Sequence, residues 1–270
     1  MNTPKLIDVH THTHFAAYGK DRDAVIRRAL DAGIWMINVG VQKDTSTDAI
    51  KTTHDYEGIF ATVGLHPVSI EESFFDYEYY KKLAEDSKVV AIGECGLDYY
   101  HLTEETKAQQ AEVFKKQIEL SFEIKKPLMI HCRDHGKLQE GESSGKAFAD
   151  LISIFKEEKN KLLDNPGVIH FFSGTVEDAK ELMDLGFLFS FGGALTFARA
   201  YEKLVKYIPL ERIVLETDAP YVAPQAYRGK RNEPLYVEEV AKKIGRILGK
   251  DFEEVARITT ENAIKVFGLK

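Results

Sequence analysis

Residues 5–20 read KLIDVHTHTHFAAYGK. An apolar start (Leu6, Ile7, Val9) runs straight into His10, His12 and His14, with Asp8 among them. In a strand, residues i and i+2 share a face, so His10 and His12 point the same way. Two imidazoles on one face suit a divalent cation of the Zn or Mn kind; a His-rich surface segment without a ligand role is the plain alternative. The exit of this strand matters as much. It opens into HTHTHFAAYGK, not into a Gly-rich phosphate loop, and this weakens an open dinucleotide-binding sheet.

Working outward, short apolar or β-branched runs recur between amphipathic stretches. Eight strands are predicted: Lys5–His10, Trp35–Val39, Ile59–Val63, Val89–Glu94, Pro127–His131, Val168–Phe172, Phe187–Ser190 and Ile213–Glu216. Helices are predicted over Asp21–Ala32, Glu104–Ile124, Gly145–Glu158, Val176–Leu185 and Arg199–Tyr207, with Leu235–Gly249 and Phe252–Phe267 closing the outer ring. Thr103 and Thr106 make a partial capping box, and Gly33 and Gly186 stand where helices end on a left-handed residue. Strands alternating with helices imply parallel pairing through right-handed crossovers. Eight such units in 270 residues suit one α/β domain over 1–270, a (β/α)8 TIM barrel with its site at the C-terminal mouth of the strands.

Composition narrows the classes. With 44% hydrophobic and 29% charged residues the chain can bury a core. No apolar stretch of about 18 residues argues for a membrane span. The start MNTPKLIDVH lacks the apolar run of a secretory signal. Only two cysteines occur, so no disulfide framework is expected and the cytoplasm is the expected compartment. A net charge of −7 speaks against a broad basic face for nucleic acid, although carboxylates clustered around cations would make that formal count misleading.

Chemistry is concentrated at strand ends. Val89–Ile92 leads into Gly93-Glu94, Leu128–Ile130 into His131, Val168-Ile169 into His170, and Ile213–Leu215 into Glu216-Thr217-Asp218. In a barrel these ends converge on one mouth, so His10, His12, Glu94, His131, His170 and Asp218 are expected to meet there. Six such ligands exceed one tetrahedral ion and fit two cations about 3.5–4 Å apart, with Glu94 as the bridge, a pair able to activate a water and clamp an oxyanion.

Seven segments carry a family resemblance: DVHTH (8–12), GLHP (64–67), GECGLDYY (93–100), IHCR (130–133), HFFSG (170–174), ETDAPY (216–221) and RGKRNEP (228–234). In this order, over nearly the whole chain, they resemble the TatD family of metal-dependent deoxyribonucleases in the amidohydrolase superfamily. The resemblance implies a TIM barrel and a divalent-metal hydrolase acting on DNA, often as a 3′–5′ exonuclease. By motif position it matches His10, His12, Glu94, His131, His170 and Asp218 to the family's metal ligands. The first motif departs from the family, which usually continues with Leu-Asp where Thr13 and His14 stand here. His14 is expected to touch substrate or be solvated. The polar loop 134–146 is longer than the family leads one to expect.

Two catalytic roles are expected: Glu94 as bridge, and Asp218 as ligand and proton acceptor for the attacking water, the alternative for Asp218 being a helix N-cap. His66 is expected to contact a phosphate or leaving group, or else to be a turn residue. Arg133 is expected to fork onto a phosphate oxygen, and Arg228, Lys230 and Arg231 to line the substrate backbone. Cys95 and Cys132, each next to a ligand, should face away and pack. Tyr99 and Tyr100 are either base-stacking rings or lids on the core. The cofactor expected is a pair of divalent ions, with Zn, Mn, Mg and Fe all open. The partner is DNA or another phosphodiester, with no membrane and no obligate protein partner. Two other readings stand beside this one: an ester or amide hydrolase, for instance an aminoacyl-tRNA deacylase, and an inactive metal-binding protein.

Overall fold

The computed structural model describes residues 3–71, 74–100, 106–134 and 146–270. Eight parallel strands close into a barrel in chain order: β1 Leu6–Thr11, β2 Ile34–Val39, β3 Ile59–Val63, β4 Val89–Asp98, β5 Leu128–Arg133, β6 Gly167–Ile169, β7 Leu188–Phe191 and β8 Ile213–Leu215. Helices wrap the outside: α1 Arg22–Asp31, α2 Lys43–His54, α3 Tyr77–Ala84, α4 Lys107–Ile124, α5 Lys146–Glu157, α6 Val176–Asp184, α7 Ala200–Tyr207, α8 Val237–Leu248 and α9 Phe252–Phe267. The expected strands are all present. β4 runs four residues further than expected, whereas β6 and β8 end early, so His170, Glu216 and Asp218 stand just beyond their strands. The glycines expected to end helices do so, Gly33 at φ +76° and Gly186 at φ +97°. Thr103 and most of the polar loop lie outside the described residues.

One apolar cluster draws Ile7, Val9, Ile37, Val39, Phe60, Ala91, Met129, Val168, Leu188 and Val214 from all eight strands. Such a cluster can only fill the barrel's inside. Its helical members among the described residues, Ala263, Val266 and Phe267 with Leu269 just beyond, come from the end of α9, which plugs the floor. The strand residues between these positions, such as Leu6, Met36, Leu128, Ile130, Ile169 and Phe189, belong to a second cluster under the helices.

Of three register shifts among the described strands, one lies lower in the barrel, between β3 and β4 at Ala61 and Thr62, and two lie at the mouth. In β1, Asp8 pairs with Met36 but Thr11 with Asn38; in β4, Ile92 pairs with Leu128 but Cys95 with Ile130. Each inserts one residue and exchanges the two faces of its strand. Alternation from Ile7 and Val9 would turn His10 outward, and alternation from Ala91 would do the same to Glu94; the bulges return both to the inside. Gly93 and Gly96 are required here: a Cβ would stand 2.4 Å from Met129 O and 2.0 Å from His131 O. The β1–β8 seam has one paired register position. Asp8 reinforces it by accepting from the Thr217 amide (2.9 Å) and hydroxyl (2.5 Å).

Candidate metal centre

Glu94 stands at the middle of the mouth. Its Oε1 lies 3.0 Å from His131 Nδ1 and 3.4 Å from both His66 Nε2 and His170 Nε2, and its Oε2 lies 3.4 Å from His10 Nε2. His10 and His12 bring their Nε2 atoms to 3.3 Å. Asp218 Oδ1 completes that side, 3.4 Å from His12 Nε2 and 3.8 Å from His10 Nε2. Candidate ligand atoms of His10, His12 and Asp218, and likewise of His66, Glu94 and His131, lie within 4.8 Å of one another. The six side chains expected to gather do gather, His10, Glu94 and His131 from β1, β4 and β5, and His12, His170 and Asp218 from just past β1, β6 and β8.

The rings are aimed by their other nitrogens. His12 Nδ1–H donates to Val39 O (2.8 Å), His170 Nδ1–H to Glu216 Oε2 (3.0 Å) and His131 Nε2–H to Asp98 Oδ2 (2.9 Å). A ring whose proton is fixed in this way presents a lone pair at the opposite nitrogen. His66 is the reverse case. The Val68 amide donates to its Nδ1 (3.1 Å), which leaves the neutral ring's proton on Nε2, facing Glu94. Asp218 adopts a left-handed backbone, φ +55°, which aspartate tolerates, and its amide donates to His10 O (2.9 Å). No helix begins there, so the N-cap alternative falls away.

Electrostatics fit a cation. Asp8, Glu94, Asp98 and Glu216 are buried carboxylates, a costly set without compensating charge. Burial would raise the Glu94 pKa, but the imidazoles of His66, His10 and His170 hold it well below the usual range. Burial and the neighbouring His170 lower His10 to about 3. Burial also works against a charged His170, but Glu216 and Glu94 outweigh it and push it up to about 10, so without an ion this ring carries a second proton, which a bound cation would displace. A central carboxylate kept ionised beside a deprotonated imidazole is the donor set a divalent ion takes.

Several expectations change. His14 is not solvated: Thr13 donates through its amide (2.9 Å) and hydroxyl (2.8 Å) to Asn38 Oδ1, and this tucks His14 inside at 4% exposure. Arg231 is engaged within the protein: its guanidinium forks onto Asp21 (2.9 and 2.6 Å) and reaches Ala17 O (2.8 Å), pinning the loop after β8 to the loop after β1. Arg228 and Lys230 remain exposed, Arg228 over the Phe197 ring at 4.5 Å. Arg133 lies over the Tyr100 ring at 4.1 Å and borders a cavity of about 270 Å³ with His131, His170, Phe171, Tyr201 and Asp218. The two tyrosines divide: Tyr99 is buried, its hydroxyl donating to Asp150 (2.8 Å), while Tyr100 is half exposed. Cys95 and Cys132 are buried and unpaired with each other. His66 enters the cluster itself. Sequence reasoning missed Glu216 and Asp98 as functional residues; a carboxylate two positions beyond an inward-facing apolar residue, as Glu216 is beyond Val214, was the available signal.

The family model for TatD related DNase matches residues 7–268. A Bacillus subtilis protein named an uncharacterized metal-dependent hydrolase, YabD, is 40% identical over 266 residues, covering 97% of this chain and 98% of its own. The 3′-5′ ssDNA/RNA exonuclease TatD of Cronobacter sakazakii is 31% identical, with 97% of each chain covered. Among solved structures, the TatD homolog YjjV of Escherichia coli K12 superposes with a TM-score of 0.87 at 25% identity, covering 100% of both chains. With a family match over nearly its whole length and the same barrel as a solved relative, the chain belongs to the TatD related DNase family.

Proposed function

We propose that this chain is a two-ion phosphodiesterase that removes nucleotides from a 3′ end of DNA, with His10, His12 and Asp218 serving one ion, His131 and His170 the other, and Glu94 bridging. The carrying observation is the position of Glu94, whose two oxygens face opposite halves of the imidazole cluster. Bound divalent ions, whether Zn, Mn, Mg or Fe, would acidify a water and neutralise charge on the scissile phosphate. Asp218, the ligand most open to the cavity at 17% side-chain exposure, accepts the attacking water's proton. His66, with its proton on Nε2, donates to a phosphate or leaving-group oxygen. Arg133 holds a phosphate at the cavity rim, and Tyr100 beneath it offers a ring to a base. The polarity and the single-stranded substrate rest on the Cronobacter relative's name.

Chelated protein assayed with each metal added back, on single-stranded oligonucleotides labelled at either end and on model phosphodiester, ester and amide substrates, tests this reading. The expected result is metal-dependent shortening from the 3′ end. Full activity in the chelated protein, or turnover confined to esters and amides, overturns it.

A further inference from the structure

Glu216 is fully buried and belongs to neither proposed ligand group. Its Oε2 accepts from His170 Nδ1–H at 3.0 Å and from the Ser190 hydroxyl. Its Oε1 has no hydrogen-bond partner, and neither does the buried Nδ1 of His10. Both orphans belong to one buried group: one ligand atom each of His10, His170 and Glu216 falls within 4.8 Å of the other two. The rings of His10 and His170 stack at 3.6 Å and 17°, so one carboxylate beside the stack can reach both.

Resting on the two-ion reading, we infer that Glu216 is a positioning residue shared by the two ion subsites, orienting His170 through Oε2 and His10 through Oε1 so that both rings present Nε2 to their ions. Leaving His10 Nδ1 unpartnered would waste a buried donor and let the ring choose either tautomer. Donation to a buried carboxylate fixes the tautomer and raises the basicity of Nε2. Asp98 does the same for His131 from the opposite ring nitrogen, at 2.9 Å, but on one ion's side only. The alternative, that His10, His170 and Glu216 hold an ion of their own, sets this ion against a hydrogen bond that already occupies His170 Nδ1.

The two carboxylates therefore differ in reach, and metal binding reads the difference without any turnover. Chelated protein is titrated with Co²⁺ by calorimetry against a competing chelator, and by its visible spectrum. Wild type is expected to give two events. Glu216→Gln keeps the volume but replaces one acceptor oxygen with a donor, and is expected to weaken both events, roughly 10–100-fold. Asp98→Asn is expected to weaken one. If Glu216→Gln does not fold, judged by circular dichroism of the chelated protein, Glu216→Asp takes its place; the shorter carboxylate cannot span both rings, and at least the tighter-held event weakens. Two wild-type events left unchanged by Glu216 substitution overturn the inference alone. A third event that vanishes with Glu216 makes the residue a ligand and also overturns it. A single wild-type event removes the two-ion reading and the inference together.

Discussion

The floor and the mouth of this barrel are built from the same eight strands and behave oppositely. At the floor, strand side chains divide between the inner and outer clusters, alternating except where Val90 and Ala91 both join the inner one, and the end of α9 seals the inside with Val266 and Phe267. At the mouth, two strands carry an extra residue, carboxylates and imidazoles replace the aliphatics, and buried atoms such as His10 Nδ1 lack partners. The floor is stabilised by area removed from water. The mouth buries polar and charged groups at a cost that a bound cation would offset. Stability and chemistry are thereby assigned to opposite ends of one barrel.

The largest expected effect breaks the mouth. Glu94→Gln and Asp218→Asn are each expected to slow hydrolysis of a labelled oligonucleotide on the order of 10³-fold. Thermal unfolding of the chelated Asp218→Asn protein should stay level or rise, since this change removes a charge from a crowded cluster. A marked fall in Tm would mean that the mouth carries stability after all.

The floor should respond the other way. Phe267→Ala is expected to cost about 3–5 kcal/mol in denaturant unfolding, with kcat unchanged at temperatures where the variant is folded. Loss of turnover in a folded Phe267→Ala protein would show the two ends to be coupled.

The smallest effects sort the basic loop. Arg228→Glu with Lys230→Glu is expected to raise KM for DNA several-fold and to flatten its salt dependence. Arg231→Ala should leave the salt slope alone and lower Tm slightly. Its partner Asp21 is held below the ordinary carboxylate pKa by the Arg231 hydrogen bond. A depressed folded pKa means that this contribution is present above the unfolded value and is lost as pH falls through the folded one. The Tm gap between wild type and Arg231→Ala should therefore close on acidification below about pH 4; a gap that widens there would sink the pin.

Much of the fold was legible because parallel barrel strands are apolar on both faces and read as near-continuous runs. The gathering of His10, His12, Glu94, His131, His170 and Asp218 was legible too, since a polar residue ending such a run is conspicuous. The solvated alternative for His14 fails because the neighbouring Thr13 is held by Asn38, a residue of a different strand. The Arg231 pin was not legible because a charge cluster in sequence does not reveal which member finds a carboxylate; Asp21 lies 210 residues away.

The sequence by itself determined the barrel, the strand order and the residue types at the mouth, for these come from periodicity and local chain stiffness. Only the tertiary structure decided where β1 and β4 gain their extra residue, which nitrogen of His12, His131 and His170 is held, and that Glu216 gathers with His10 and His170. Those are outcomes of how closely neighbouring strands approach, as at Gly93 and Gly96, and such distances between segments are not encoded in any one of them.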